Sequence, residues 1–351
     1  MQQLLRGRLL YLCLGGLIIF LYLRGLPLIP TEQTVAPSAP PSSVDAMTWW
    51  PEDLDVDTLR AVGVQSPQTM AALSVLLLFI VGMTLGGIGL NLWALWSGRI
   101  RSIWRFGART LPRWSWGELV RIILLTVMIA SLAPFVRLTV HAYQPTWDVD
   151  PHAWITMSML FLDLFVILAI LTFAVEKGGS LRSLFGFSGR TAMESIETGF
   201  RGYIAVFPWL FLLLFLILEA ARFFKLQPPM EPIHQLIFEE QRPAVLGLTM
   251  LLACLVGPLA EELFFRGVLY PVTRRRVSRL LAVLINGAVF SLIHTNFLGF
   301  VSIMALGCLL AYLYERTGTI LSPLAVHVLH NTFLMSLAMA FRSVLALRNG
   351  G

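Results

Sequence analysis

The stretch Gly257–Arg276 reads GPLAEELFFRGVLYPVTRRR. It closes an apolar run that begins at Ala244. Two adjacent glutamates, Glu261 and Glu262, end the run, and Arg266 lies just behind them. Ionised groups inside a bilayer are costly, so acids at that depth are a functional signal. Glu262 and Arg266 are one helical turn apart (i, i+4), share a face and can form an ion pair. Glu261 is rotated by about 100° from Glu262 and faces elsewhere. One glutamate is then neutralised locally, and the other is left to point into a cavity.

The composition explains why this run is read as a membrane helix. The chain has 351 residues, of which 57% are hydrophobic and 13% charged. Soluble domains carry about 25% charged residues. The fold class implied is all-α: a polytopic transmembrane bundle of about eight to nine spans in a lipid bilayer. The net charge of +6 does not indicate a nucleic-acid partner. The arginines cluster between spans, as the positive-inside rule requires of a cytoplasmic face. Cys13, Cys254 and Cys308 lie in apolar runs and act as small hydrophobes rather than as a disulfide framework. Cys254 lies two turns before Glu261, but spacing places no base beside it.

Four regions follow along the chain. Residues 1–26 form an N-terminal signal-anchor helix: Arg6 and Arg8 precede the apolar Leu9–Leu23. Pro37, directly after the small-residue triplet Thr34–Ala36, disfavours cleavage. Residues 27–69 form a Pro/Ser-rich acidic extracytoplasmic linker, with Trp49 and Trp50 at the membrane interface. Residues 70–200 hold accessory spans Met70–Trp96, Leu119–Val140 and Ala153–Val175. Residues 201–345 hold a core of Tyr203–Ala221, the span entering the twin glutamates, Leu280–His294, Phe300–Tyr314 and Leu321–Phe341. Gly82, Gly86, Gly87 and Gly89 predict close helix packing, and Pro134 a kink. Asp163 sits mid-span and reads first as a buried hydrogen-bonding group, second as a binding residue. Arg99–Arg113, Lys177–Arg201 and Arg274–Arg279 mark the cytoplasmic side and place the N-terminus there. Nine spans put the C-terminus outside despite Arg342 and Arg348, unless one short late helix is re-entrant. The GFSG stretch Gly186–Gly189 resembles a rhomboid serine motif, but its polar, arginine-flanked setting argues against serine chemistry.

Two later helices add polar pairs at helical spacing: Phe290 with His294, and His327 with Asn331. With Glu261 they form a candidate constellation of one base and several proton or hydrogen-bond donors. A partly desolvated carboxylate can take a proton from water, and a histidine can orient that water. A second histidine and an amide can donate to the oxyanion of a tetrahedral intermediate. Peptide-bond hydrolysis needs those two functions and no covalent nucleophile. Taken singly, each motif has an ordinary structural reading: a Glu–Arg clamp, a packed histidine. In order on successive membrane helices, they point to a site. His330, on a neighbouring face, reads as packing.

EELFFR (Glu261–Arg266), FSLIH (Phe290–His294) and HVLHN (His327–Asn331) resemble the EExxxR, FxxxH and HxxxN motifs of the CAAX protease and bacteriocin-processing family of intramembrane endopeptidases. That family includes the Ras-converting prenyl-protein endopeptidases. The resemblance covers roughly residues 200–340 and implies a cavity within the membrane open to the cytoplasmic side. It implies Glu261 as general base, His294 as water-positioning residue, His327 and Asn331 as oxyanion site, and Glu262, Arg266 and Phe290 as supporting residues. No cofactor is expected from the glutamate-activated water; the alternative is zinc on Glu261, His294 and His327, although HExxH is absent. The implied partner is a membrane-associated peptide or protein, prenylated CAAX-type or bacteriocin-like. The anchor and linker fit a bacterial inner (plasma) membrane. Other classes are a non-catalytic scaffold or immunity protein of the same fold, and a transporter; matching halves with paired broken helices are not seen for the latter.

Overall fold

A computed structural model describes Gly16 and residues 56–99, 111–144, 150–176, 192–226, 232–294 and 298–350. The signal-anchor segment 1–26 apart from Gly16, Trp49 and Trp50, Arg101, Arg105 and Arg109, and the GFSG stretch lie outside the described residues. Those residues form helices and no strand. In chain order they are α1 (Val56–Gln65), α2 (Pro67–Trp96), α3 (Trp116–Tyr143), α4 (Pro151–Glu176) and α5 (Ala192–Phe223). α6 (Pro232–Glu239), α7 (Pro243–Arg274), α8 (Arg279–Ile293), α9 (Phe300–Thr317) and α10 (Leu321–Gly350) follow. Seven of the described helices are long and apolar enough to cross a membrane, and α8 is a shorter apolar helix of 15 residues.

Two boundaries move from their expected places. The second half of the expected linker 27–69 folds as α1, and Ser66 accepts a hydrogen bond from the Thr69 amide to cap α2. Pro67 at the first turn suits a helix start, because its missing N–H is not needed there. The fifth span begins at Ala192, so Arg201 is helical rather than in a loop and pairs with Glu197 one turn earlier. The reason is that residues 192–202 are amphipathic: Ser195 and Gly199 are buried, whereas Glu194 and Glu197 are exposed. A Cβ on Gly199 would lie 2.6 Å from the Ser322 carbonyl oxygen, so only glycine admits α10 at this distance.

The bundle is layered by burial. In its most apolar 18-residue window α2 is 6% buried and α9 is 50% buried, which places α2 at the rim and α9 at the centre. Leu77, Leu85, Phe161, Trp209 and Phe215 are exposed, as side chains facing lipid must be. One core cluster joins Phe265 and Tyr270 of α7 to Phe290 of α8 and Tyr314 of α9. A second joins Tyr203 and Phe207 of α5 to Leu310 of α9 and Val326 of α10. Of the α2 glycines, Gly87 makes the close approach, with Ile204 O and the Pro208 ring where a Cβ would stand; Gly82 and Gly89 meet nothing within 4 Å. The tightest contact near the acids is α8 on α9. A Cβ on Gly287 would lie 2.4 Å from Cys308 Sγ and 2.9 Å from Met304 O. Gly287→Val should therefore force the two helices apart and cost about 1–3 kcal/mol, read as a lowered melting temperature in detergent. Gly89→Val, facing open space, serves as the unaffected control.

Candidate active site

α7 is not a uniform helix. Two π-helical segments, Leu252–Val256 and Leu263–Leu269, flank the α-helical turn Gly257–Glu262 that carries both glutamates. Pro258 and Pro271 lie just past each segment. Proline has no N–H, and its ring crowds the carbonyl one turn back, so the backbone widens. In the first segment the Gly257 N–H donates to Leu252 O. The next carbonyl, Ala253 O, would take the N–H of Pro258, which does not exist. Asn331 Nδ2 of α10 donates to it instead, at 2.9 Å. In the second segment Phe265 O accepts from Tyr270 N–H and from Asn286 Nδ2 of α8, at 3.0 Å. Inside a bilayer such carbonyls need protein donors, so two asparagines fix the distortion that presents the acids.

Glu262 and Arg266 are fully buried. Arg266 Nη1 donates to Glu262 Oε1 at 2.9 Å, and Arg266 Nη2 to Gly307 O at 3.0 Å. His327 Nδ1 donates to the same Glu262 oxygen at 2.9 Å. The Phe290 ring sits at the middle of this group. Arg266 lies 4.9 Å from its centroid, His294 4.8 Å and His327 5.6 Å. A carboxylate only accepts, so Nδ1 of His327 carries a proton; a neutral ring would then present a lone pair at Nε2. That atom is 3.6 Å from Glu261 Oε2. Glu261 is 28% exposed, and its Oε2 has no hydrogen-bond partner. His294 Nδ1 donates to Phe290 O at 2.8 Å, which likewise leaves Nε2 as an acceptor. Each glutamate has an Oε2 without a partner, but they stand in different states: Glu262 is fully buried and fixed through Oε1, whereas Glu261 is partly exposed and not tied to an arginine among the described residues.

The structure brings Glu261, Glu262, Arg266, Phe290 and His327 together and packs His294 against Phe290. Asn331 has one amide hydrogen committed to the α7 backbone, a partner that the sequence did not suggest. Several neighbours were not singled out by motif: Asn286, Gly307 and Gly257. A Cβ on Gly257 would lie 3.5 Å from Asp163 Oδ2, so the Asp163 carboxylate rests against bare backbone one turn before Glu261. The signal for Gly257 was present, since it directly precedes Pro258. His330 hydrogen-bonds Tyr203 across α5 and α10 at 2.9 Å, in keeping with a packing role.

Two places carry donor types that suit a metal. The donor types of Glu261, His294 and His327 suit zinc, and both histidines are oriented by an acceptor on Nδ1, as ligating histidines are. Among the described residues, however, the three do not gather to ligand distance. One group of side chains does: Asp150, His152 and Glu240, whose ligand atoms lie within 4.8 Å of one another. It sits at the far end of the bundle, at the start of α4 and just before α7. Arg242 bonds both Asp150 and Glu240 there, and His152 lies 3.3 Å from Glu239 and from Glu240. A cation would compete with the Arg242 guanidinium for the same oxygens. The hydrogen bonds from Arg242 hold the Glu240 carboxyl down at about 2.

Residues 243–333 match the family model described as Rce1-like, type II CAAX prenyl endopeptidase Rce1-like. That segment runs from the start of α7 into α10 and includes every motif residue. A Bacillus subtilis (strain 168) protein described as "Putative membrane peptidase YdiL" is 30% identical over 88 residues, 25% of this chain and 36% of that relative. The match therefore spans about a third of the relative's length. No solved structure matches the chain. The resemblance read from the three motifs holds over the part of the chain that builds the acid-bearing cleft.

Removing the charge of Glu262 leaves Arg266 buried without its counter-ion. Glu262→Gln should cost about 3–5 kcal/mol, measured as loss of melting temperature in detergent; Glu261→Gln should cost far less. At the far end, Glu240 ordinarily titrates near 4.5 and here near 2. A depressed carboxyl contributes stability above its unfolded value and loses it as pH falls through the folded one. Melting temperature should accordingly fall between about pH 4.5 and 2 through Glu240. Arg242→Gln should be less stable at neutral pH and flatter across that window.

Proposed function

We propose that this protein is a membrane-embedded endopeptidase in which Glu261 activates water against a peptide bond of a membrane-associated substrate. The supporting observation is the unequal state of the adjacent acids. Glu262 is fully buried and held through Oε1 by Arg266 and His327, whereas Glu261 is partly exposed, has no ion-paired arginine among the described residues, and keeps an Oε2 without a partner beside His327 Nε2. The similarity of residues 243–333 to type II CAAX prenyl endopeptidases supplies the reaction class.

Each step follows from the donors and acceptors. Water donates one proton toward Glu261 and its second hydrogen toward an imidazole Nε2 of His327 or His294. Glu261 takes the first proton as the oxygen attacks the carbonyl carbon. The remaining amide hydrogen of Asn331 donates to the oxyanion. Where His327 enters the cycle already protonated at Nε2 from solvent, it donates to the oxyanion as well and keeps that proton throughout, with Glu262 against Nδ1 stabilising the imidazolium and His294 Nε2 accepting the water's second hydrogen. Collapse of the tetrahedral intermediate returns the Glu261 proton to the leaving amine, and the carboxylate is regenerated. The substrate class is lipidated, prenylated CAAX-type or bacteriocin-like peptide at the membrane surface. The core from α5 at Ala192 onward carries the reaction, α2 to α4 are the accessory helices, and residues 1–26 are the anchor, in a bacterial inner membrane.

The test is proteolysis of a mixed library of lipidated and transmembrane peptides by the purified protein beside Glu261→Gln, with and without a zinc chelator. A general base contributes about 10²–10⁴-fold, so the variant should lose activity by that factor while melting like the parent. The parent should resist the chelator. Equal cleavage by both proteins would end the reading. Loss in chelator restored by zinc would transfer the water to a metal held by the same side chains.

A further inference from the structure

The proposed reaction leaves one polar cavity unused. At the arginine-rich end of the bundle, the ends of α7, α8 and α9 and the segment before α3 enclose about 330 Å³, lined by Leu111, Arg274, Arg275, Arg279 and Glu315. Glu315 is buried. Its Oε1 accepts from Arg279 Nε at 2.8 Å and Arg274 Nε at 3.4 Å, and its Oε2 from Tyr270 OH at 3.1 Å. Arg275 is tied to the opposite wall, with Nη2 on Pro112 O at 2.9 Å and Nη1 on Trp114 O at 3.3 Å. One carboxylate thus holds two of three guanidinium groups in place, and the main chain holds the third. The cavity keeps a net excess of two positive charges, three arginines against one glutamate. Guanidinium forks fixed in this way are preorganised for an anion, and phosphate oxygens match their geometry.

The position in the membrane selects the anion. Trp114 and Trp116 stand at the start of α3, and Arg276 lies over the Trp116 ring at 5.1 Å. Tryptophan and arginine together mark the headgroup level. The arginines at this end also make it the cytoplasmic side, where anionic lipid concentrates. Leu280, Leu281 and Leu284 follow Arg279 on α8 and are exposed, an apolar surface leading from the cavity into the hydrocarbon region. A volume of about 300 Å³ suits a small ligand or headgroup. We propose that this cavity binds the phosphate group of an anionic phospholipid, with the acyl chains lying along α8. The assignment is independent of the peptidase reading.

The full chain in detergent would be titrated with phosphatidylglycerol, phosphatidylcholine and inorganic phosphate, with bound lipid read by native mass spectrometry. Phosphatidylglycerol should be retained and phosphatidylcholine not. Arg275→Gln should weaken retention about tenfold, the effect of one charge-assisted hydrogen bond. Leu111→Trp, which fills the cavity without changing charge, should do the same. Arg276→Gln removes an equal charge outside the lining and should leave retention unchanged. Melting temperature confirms that each variant is folded. Equal losses in Arg275→Gln and Arg276→Gln, or no loss in Leu111→Trp, would overturn the site in favour of general surface attraction. Retention of phosphatidylcholine or inorganic phosphate to the same degree would overturn the anionic-lipid assignment.

Discussion

A guanidinium buried among helices in a bilayer has to be matched by acceptors from its own protein, and Arg266 sets that requirement here. It is fully buried, and its partners come from three directions: Glu262 on its own helix, Gly307 O on α9 and the Phe290 ring on α8. Glu262 in turn takes His327 from α10. Four helices are held in register by this one charge. An uncompensated buried ion would cost several kcal/mol, so displacing any of these helices is resisted by more than lost packing. The bare backbones of Gly287 and Gly307 follow from the same requirement, because the Arg266–Gly307 contact needs α8 and α9 in direct backbone contact.

The distortion of α7 is the second consequence. A regular helix would present Glu261 and Glu262 about 100° apart but would leave no carbonyl for Asn331 or Asn286 to hold. The first π segment and Pro258 release Ala253 O, which Asn331 binds; in the second, Asn286 adds a bond to Phe265 O beside that from the Tyr270 N–H. The proposed reacting carboxylate therefore lies on a short α-helical turn braced on both sides. That arrangement keeps Glu261 aimed at the cleft while its neighbour is locked into the bundle. Preorganisation of this kind is what a water-activating group requires, since reorientation during reaction would add to the barrier.

Much of this was legible in the sequence, for identifiable reasons. The helical class, the seven described spans and the shorter α8 follow from apolar runs bounded by arginine, a signal that depends on composition and not on contacts. The Glu262–Arg266 pair follows from i, i+4 geometry on one helix. The contacts of His327 with both glutamates were not readable, because they depend on how α10 crosses α7. The role of Asn331 toward Ala253 O was hidden for a related reason: it answers a missing N–H at Pro258, which matters only once the helix has widened. α1 was overlooked because it is only ten residues long and directly follows the acidic stretch Glu52–Asp55. The early start of α5 was missed because its first turns face water on one side. Asn286 carries no motif, and its burial against the Phe265 carbonyl is a purely tertiary fact.

The central claim is that two adjacent glutamates divide the work, Glu262 holding the bundle and Glu261 holding the water. A high-resolution density map of the protein in lipid nanodiscs tests this most directly. The account predicts an ordered water within hydrogen-bond distance of Glu261 Oε2 and His327 Nε2, with Glu262 bonded to Arg266 and His327 Nδ1. A map with Glu261 bonded to Arg266 and Glu262 facing the cleft, or with the Glu261 carboxylate closed off by a side chain, would contradict it.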